Sequence, residues 1–133
     1  MSVFVDTSAF LAVLDGGDAG HVGAAQAWRD VLATDAELVT TDYVVVETCA
    51  VAQSRLGLAA LRAFQEEVVP VLRVQWVDET VHAAAVGTLL AAGRRSLSLV
   101  DCVSFETMRL LGISSALTLD RHFREQGFRC LPG

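Results

Sequence analysis

Four acidic residues stand where the surrounding sequence favours an apolar or a capping residue: Asp6, Glu47, Asp101 and Asp120. Glu47 is the clearest case, because it interrupts the apolar run 43–51, and on a helix its neighbours three and four residues away are Tyr, Val, Ala and Val. A carboxylate that faces an apolar core is costly unless a cation or a proton accompanies it. These residues are therefore candidates for holding a cation.

Taken together, the four acids are stronger evidence for a cation site than any one of them alone. If the fold gathers all four carboxylates within about 5 Å of one another, each close pair repels by roughly 3 kcal/mol at an effective dielectric near 20. Several such pairs would rival the stability of a small domain, about 5–15 kcal/mol. With no His or Cys expected nearby, the oxygen ligands favour Mg²⁺ or Mn²⁺ over zinc.

Each acid also has a purely structural interpretation. Asp6 and Asp120 can be N-caps of the helices that follow them, and Asp101 can close a capping box with Ser98. Glu47 lies in the middle of its helix, so its structural alternative is a buried ion pair, with Arg62 or Arg109 as the partner.

The sequence pattern predicts strands that alternate with helices, and therefore a mostly parallel sheet of about five short strands with helices on both faces. Expected strands cover 2–5, 37–40, 71–77, 116–119 and 128–131. Expected helices cover 9–14, 19–33, 42–56, 58–69, 79–92, 98–111 and 121–126, with Val22, Ala25, Trp28 and Leu32 on the inner side of the second. Ligands bind at the carboxyl ends of such strands, where Asp6 and Asp120 fall.

Length, composition and charge limit the classes of protein to which the chain can belong. The 133 residues, 53% of them hydrophobic, predict one domain spanning 1–133, and a mean hydropathy of +0.45 suggests that a partner covers apolar surface. No segment has the length or the flanks of a membrane span or a signal peptide. Three unpaired cysteines indicate a cytoplasmic protein. The net charge of −6, with no lysine, argues against a passive nucleic-acid binder but not against an acidic enzyme.

The segments around the four acids resemble, in order and spacing, the motifs of the PIN-domain nucleases, and in length the compact VapC-type toxins of bacterial toxin–antitoxin pairs. They are Val3–Ser8, Glu47 within its Val-rich helix, Ser98–Asp101 and Ala116–Phe123. The resemblance covers essentially the whole chain.

The resemblance implies a three-layer PIN-like fold and an Mg²⁺- or Mn²⁺-dependent endoribonuclease. Asp6, Glu47, Asp101 and Asp120 would be the metal-binding and catalytic quartet. It further implies cleavage that leaves a 5′-phosphate and a 3′-hydroxyl, a homodimer, and a cognate antitoxin whose basic segment enters the acidic pocket.

Other polar residues receive supporting roles. Thr7 or Ser8, and Thr118, would orient the acids, and Arg121 would contact a substrate phosphate. Arg94, Arg95 and Arg124 are further candidates for phosphate contact or ordinary solvated charges. His21, His82 and His122 share no metal-ligand spacing and are expected at the surface. Trp28 and Phe64 are expected in the core, and a hairpin containing Leu56, Leu58, Leu61, Phe64 and Val68 could face a partner.

Two other functions remain open at this stage. The first is a non-catalytic protein-interaction module with the same fold, which would not gain stability from Mn²⁺. The second is a phosphoryl-aspartate protein, but the receiver and dehalogenase-type families use a late lysine and this chain has none.

Overall fold

The computed structural model describes all residues from Met1 to Gly133. Five parallel strands form one sheet in the order β3-β2-β1-β4-β5: β1 (Ser2–Val5), β2 (Glu37–Thr41), β3 (Arg73–Gln75), β4 (Ser115–Leu117) and β5 (Arg129–Leu131). Seven α-helices connect them: α1 (Thr7–Leu14), α2 (His21–Leu32), α3 (Asp42–Leu56), α4 (Leu58–Ala63), α5 (Glu79–Ala92), α6 (Leu99–Leu111) and α7 (Arg121–Glu125). The expected parallel α/β architecture is confirmed.

Strand β1 lies at the centre of the sheet and of the core. Val3, Phe4 and Val5 are all fully buried, and successive strand residues point to opposite faces, so both faces of the sheet are covered. On one side of the core Phe10 packs against Phe64, with ring centroids 5.0 Å apart. Trp28 and Phe64 therefore belong to the core or its edge, as expected.

The chain order creates a switch point beside β1. From β1 the chain moves to β2 and then β3 on one side, whereas β4 and β5 fill the other side. Crevices at such points, outside the carboxyl ends of the strands, are the usual ligand sites of parallel sheets. The register pairs Val5 with Leu117, and Asp6 N–H donates to Leu117 O at 3.1 Å, so Asp6 emerges next to Thr118.

The segment after Gly57 departs from the prediction. Gly57 takes a φ of 94°, open to glycine at little cost, and separates α3 from α4 as expected. The helix predicted to reach residue 69 is present, but it changes type: α4 stops at Ala63, a π-helical turn follows over Phe64–Val68, and a 3₁₀ turn covers Val69–Val71. Pro70 sits at the start of that 3₁₀ turn, where its missing N–H is not needed.

Two further expectations need correction. The strand predicted over 71–77 is only three residues long, Arg73–Gln75, because the 3₁₀ turn occupies its start. The apolar side predicted for α2 is correct in part: Ala25 is buried and Trp28 packs against the core, but Val22 is 79% exposed and Leu32 46%, and Ala24, Ala27 and Val31 complete the buried face. Small alanines let this helix pack closely. No helix has the length and apolar character needed to cross a membrane.

Candidate functional site

Asp6 is the most buried of the four acids and is tightly held. As the N-cap of α1 it receives on Oδ2 the Ser8 hydroxyl at 2.8 Å, the Thr118 hydroxyl at 3.1 Å and the Ser8 backbone N–H at 3.4 Å. Its other oxygen, Oδ1, receives no hydrogen bond from the protein. Burial raises the pKa of Asp6 from 3.8 to about 6, and the charge of Asp101 adds to the rise, while the Ser8 and Thr118 bonds oppose it.

Asp101 sits in the first turn of α6, at the third position of a capping box. Its Oδ2 accepts from the Ser98 backbone N–H at 3.2 Å, and its own N–H donates to Ser98 Oγ at 3.0 Å. Burial raises the pKa of the Asp101 carboxyl; the Ser98 backbone bond opposes this rise and the charge of Asp120 adds to it. Again one carboxylate oxygen, Oδ1, is left without a donor.

Asp120 repeats the arrangement at α7. Its Oδ1 accepts from the His122 backbone N–H at 2.9 Å, and Oδ2 receives no hydrogen bond. Thr118 connects this residue to Asp6, because the Thr118 hydroxyl oxygen also accepts from the Asp120 N–H at 2.9 Å. The capping roles predicted for Asp6, Asp101 and Asp120 are thus confirmed, but each capping interaction uses only one oxygen of the carboxylate. The second oxygen of each carboxylate stays available for a ligand.

Ser8 and Thr118 are the polar residues that link the acids. Besides bonding Asp6, the Ser8 hydroxyl accepts from the Leu119 N–H at 2.9 Å and lies 3.2 Å from Thr118 Oγ1. Thr7 makes no such contact, because its buried Oγ1 has no hydrogen-bond partner. Of the two candidates next to Asp6, only Ser8 contacts it.

Glu47 occupies a different setting from the one expected. It is half-buried rather than buried in the core, since α3 turns Val44, Thr48 and Ala52 inward instead. The side chain lines an open groove of about 370 Å³ together with Tyr43, Val46 and Val100. Val100 directly precedes Asp101, so the groove leads toward the other acids.

The ion-pair alternative for Glu47 is wrong. Arg62 of α4 pairs with Glu66 of the following π-helical turn, where both side chains are exposed, and Arg109 donates to Gln126. No salt bridge involves Glu47. Its charge therefore faces the groove without a protein cation.

His122 is the residue that sequence reasoning missed. Expected at the surface, it is 6% exposed, and its Nδ1 lies 2.7 Å from Asp120 Oδ1 and 3.9 Å from Asp101 Oδ2. The expectation of no His near the acids is therefore wrong. The only hint in the sequence is that His122 adjoins Phe123; in the structure Phe123 is fully buried, and in this five-residue helix His122 lies inward beside it.

The acids do not form one cluster of the size considered above. Ligand atoms of Asp101, Asp120 and His122 all lie within 4.8 Å of one another. Asp6 adjoins this group through its charge interaction with Asp101 and its Thr118 bridge to Asp120. Glu47 lines the neighbouring groove. The donor set, three carboxylates each with a free oxygen, suits a hard divalent cation.

The basic side chains surround the acids at a greater distance. Arg121 and Arg124 line a pocket beside Asp120 that also includes Thr118, Cys130 and Pro132. Arg121 is largely exposed and only 3.8 Å from Glu125, whereas Arg94 is committed to Glu125 at 2.9 Å. The longer contact with Glu125 leaves Arg121 able to turn toward a substrate, whereas Arg94 is held in a surface ion pair.

Comparison with known proteins gives a consistent result. The family model of the PIN domain matches residues 3–129. Over 127 residues the chain is 33% identical to the 23S rRNA-specific endonuclease VapC20 of two Mycobacterium tuberculosis strains, covering 95% of each sequence. The crystal structure of VapC20, described as a sarcin–ricin loop cleaving toxin, superposes with a TM-score of 0.85 at 31% identity over 95% of both chains. FitAcB from Neisseria gonorrhoeae shares the fold, with a TM-score of 0.67 at 16% identity.

Proposed function

The chain belongs to the PIN-domain family and resembles its VapC-type toxins, and on that premise we propose that it is a divalent-metal-dependent endoribonuclease, the toxin of a toxin–antitoxin pair. The observation that carries the metal dependence is the set of free oxygens on Asp6, Asp101 and Asp120 at the switch point of the sheet. Family membership supports the nuclease class, and the VapC20 match supports RNA as substrate.

Asp6, Asp101 and Asp120 would hold Mg²⁺ or Mn²⁺, with Glu47 completing the set from the adjoining groove. A bound divalent ion supplies an activated water and charge stabilisation at a phosphodiester. The protein's own contribution is to fix the oxygens: Ser8 and Thr118 hold Asp6, Ser98 holds Asp101, and the α7 N-terminus holds Asp120. Because these bonds already occupy one oxygen of each acid, the free oxygen is oriented before any ligand arrives.

Substrate binding would use the arginines next to the acids. Arg121 and Arg124 border the pocket beside Asp120, where an RNA phosphate adjacent to the scissile one can be neutralised. Guanidinium groups suit this purpose because they bind phosphate oxygens in pairs. We assign Arg121 as the first phosphate contact.

The sarcin–ricin loop of 23S rRNA is the substrate we propose, because VapC20 is described as cleaving it and the two chains align over nearly their whole lengths. A short stem-loop RNA carrying that loop should be cut once by the purified chain in Mg²⁺ or Mn²⁺, leaving a 5′-phosphate and a 3′-hydroxyl. A matched stem-loop with a scrambled loop should stay intact. Equal cutting of both RNAs would refute loop recognition.

Controls separate the site from a contaminating nuclease. Asp101→Asn should reduce cleavage by about 100-fold or more, the scale of losing one charged group that acts in the transition state. Asp35→Asn changes an exposed acid just before β2, at the opposite edge of the sheet from the site, and should leave the rate unchanged. If Asp101→Asn cuts as fast as wild type, the activity is not from this site. Failure of the folded chain to cut any RNA, together with no stabilisation by Mn²⁺, would favour the interaction module instead.

The partner proposals follow from charge and exposed apolar surface. A net charge of −6 beside an acidic crevice suits inhibition by a basic antitoxin segment, and exposed Leu58, Leu90 and Leu110 offer apolar surface for the antitoxin or for a second copy. We propose a cytoplasmic homodimer; the three cysteines are free. In the hairpin considered earlier, Phe64 is fully buried and is not part of this surface.

The partner proposals have simple tests. Light scattering after gel filtration should give about twice the 14.2 kDa chain mass. A basic peptide from the protein encoded next to this one should inhibit cleavage, with weaker inhibition at high salt. A monomer in light scattering would refute the homodimer.

A further inference from the structure

One buried polar atom that faces the acids lacks a hydrogen-bond partner. His122 Nδ1 makes no hydrogen bond of acceptable geometry, although it lies only 2.7 Å from Asp120 Oδ1. Buried polar atoms without a partner are rare in folded proteins. The side chain is only 7% exposed, so solvent does not satisfy the nitrogen.

The position of the ring is fixed from several directions. Its neighbour Phe123 is fully buried and packs against Phe105 with ring centroids 4.9 Å apart, which anchors α7 in the core. The His122 backbone N–H is bonded to Asp120, and ring Nε2 lies 3.4 Å from Ser96 Oγ. The imidazole therefore cannot turn away from the acids without leaving its packed position.

The contact at Nε2 bears on which ring nitrogen carries the proton. When Nε2–H donates to Ser96 Oγ, Nδ1 presents its lone pair to the acids. A lone pair 2.7 Å from a carboxylate oxygen is repulsive unless a positive centre lies near both. Nδ1 lies 2.7 Å from Asp120 Oδ1 and 3.9 Å from Asp101 Oδ2, and one ligand atom from each of the three residues fits within 4.8 Å, so a single ion can be held among them after small side-chain rotations.

We propose that His122 supplies Nδ1 as a nitrogen ligand on the Asp101–Asp120 side of the cation site, so that the site prefers transition-metal ions such as Mn²⁺ and Co²⁺ to Mg²⁺. Imidazole nitrogen binds these ions in preference to Mg²⁺, which favours oxygen ligands. The inference rests on the proposed cation site and specifies its ligand chemistry. The alternative role for His122 is to position Asp120 through an Nδ1–H bond.

The variant His122→Asn separates the two roles. Its amide nitrogen can occupy nearly the position of Nδ1 and donate to Asp120, so positioning is retained, but an amide is a poor ligand for Co²⁺ or Mn²⁺. His21→Asn is the matched control, because the Nδ1 atom of His21 already contacts the Ala12 carbonyl at 2.7 Å. His82→Asn is a second control, since the His82 Nδ1 atom contacts the Tyr43 hydroxyl.

Two measurements test the inference without relying on turnover. Electron spin-echo modulation of the Mn²⁺-loaded protein should show the strong ¹⁴N coupling of a directly bound imidazole nitrogen in wild type and in both controls, and should lose it in His122→Asn. Titration calorimetry should give a Co²⁺-to-Mg²⁺ affinity ratio lower in His122→Asn than in wild type by about tenfold or more, the scale of losing one ligand or its support. An unchanged ratio, or nitrogen coupling that persists in His122→Asn, would overturn the ligand role.

Wild-type protein provides a safeguard in case the buried substitution prevents folding. Protein labelled with ¹⁵N only at histidine should change the modulation frequencies of bound Mn²⁺, and unchanged frequencies would overturn the inference. If Mn²⁺ binds with no nitrogen coupling, only this inference fails. If the folded chain binds no divalent ion, the metal dependence under the proposed function fails with it.

Discussion

Substitution of Asp6 by asparagine should stabilise the metal-free protein at neutral pH. The amide oxygen of the introduced side chain can take the place of Asp6 Oδ2 and keep the bonds from Ser8 and Thr118, so the main change is loss of a buried charge. Burial raises the pKa of Asp6 to about 6 from 3.8. A shift of about two units corresponds to roughly 3 kcal/mol of unfavourable free energy for the ionised form.

The sign of the pH dependence follows from the raised pKa. Below about pH 4 the carboxyl is protonated in both the folded and the unfolded chain, and Asp6 costs nothing. Between about pH 4 and 6 the unfolded chain ionises while the folded chain holds its proton, so stability falls as pH rises, and above about pH 6 the full cost is present. Wild type should therefore lose stability relative to Asp6→Asn across this window.

Urea unfolding followed by circular dichroism, in EDTA at pH 4, 5, 6 and 7.5, measures this difference. We expect Asp6→Asn to be more stable than wild type by about 1–3 kcal/mol at pH 7.5 and by less than about 1 kcal/mol at pH 4. With Mn²⁺ at about 100 times its Kd, wild type should gain about 2.7 kcal/mol and the variant much less. Equal stabilities at pH 7.5 without metal, with Asp35→Asn as control, would refute the buried-charge argument.

The same contacts support three other predictions. Thr7→Val removes a buried hydroxyl that has no partner, so the free energy of unfolding should be unchanged or slightly higher and cleavage should be normal. Ser8→Ala breaks bonds to Asp6 and Leu119, so it should lower the free energy of unfolding by about 1–2 kcal/mol and slow cleavage. Equal behaviour of the two variants would count against Ser8 as the linking residue. Phe64→Ala empties a fully buried site against Phe10 and should cost about 3–5 kcal/mol in urea unfolding, and a loss below about 1 kcal/mol would contradict the packing. Arg121→Ala should weaken RNA binding and flatten its salt dependence, whereas Arg94→Ala, whose partner is Glu125, should change neither; the reverse order would exclude Arg121 as the phosphate contact.

Much of the fold could be predicted because the strands are short and apolar and are separated by clear helix signals. The five parallel strands and the N-caps of α3, α5 and α6, at Thr41, Asp78 and Ser98, follow directly from periodicity and capping residues. The change from α-helix to π-helix before Pro70 could not be predicted, because a π turn leaves no mark in the apolar periodicity. Half of the inward face of α2 was predicted correctly, with Ala25 and Trp28, but alanines and Val31 take the place of Val22 and Leu32 against the core.

The acidic residues of the site could be predicted from the sequence, but the setting of Glu47 and the inward position of His122 could not. Asp6 and Asp120 follow strands, so their place at the sheet edge could be read from the sequence. Glu47 was expected in the core because its neighbours are apolar, but Val46 beside it is 68% exposed and that side of α3 borders a groove. The inward position of His122 depends on the packing of Phe123 in a five-residue helix, too short for a periodicity argument.

The existence of one cation site is tested most directly by a crystal of the wild-type chain soaked in Mn²⁺, with an anomalous difference map. We expect a peak at the carboxyl ends of β1 and β4, bounded by the free oxygens of Asp6, Asp101 and Asp120. A fully occupied peak elsewhere, or none in a crystal whose crevice is open to solvent, would contradict the claim that these carboxylates form one cation site.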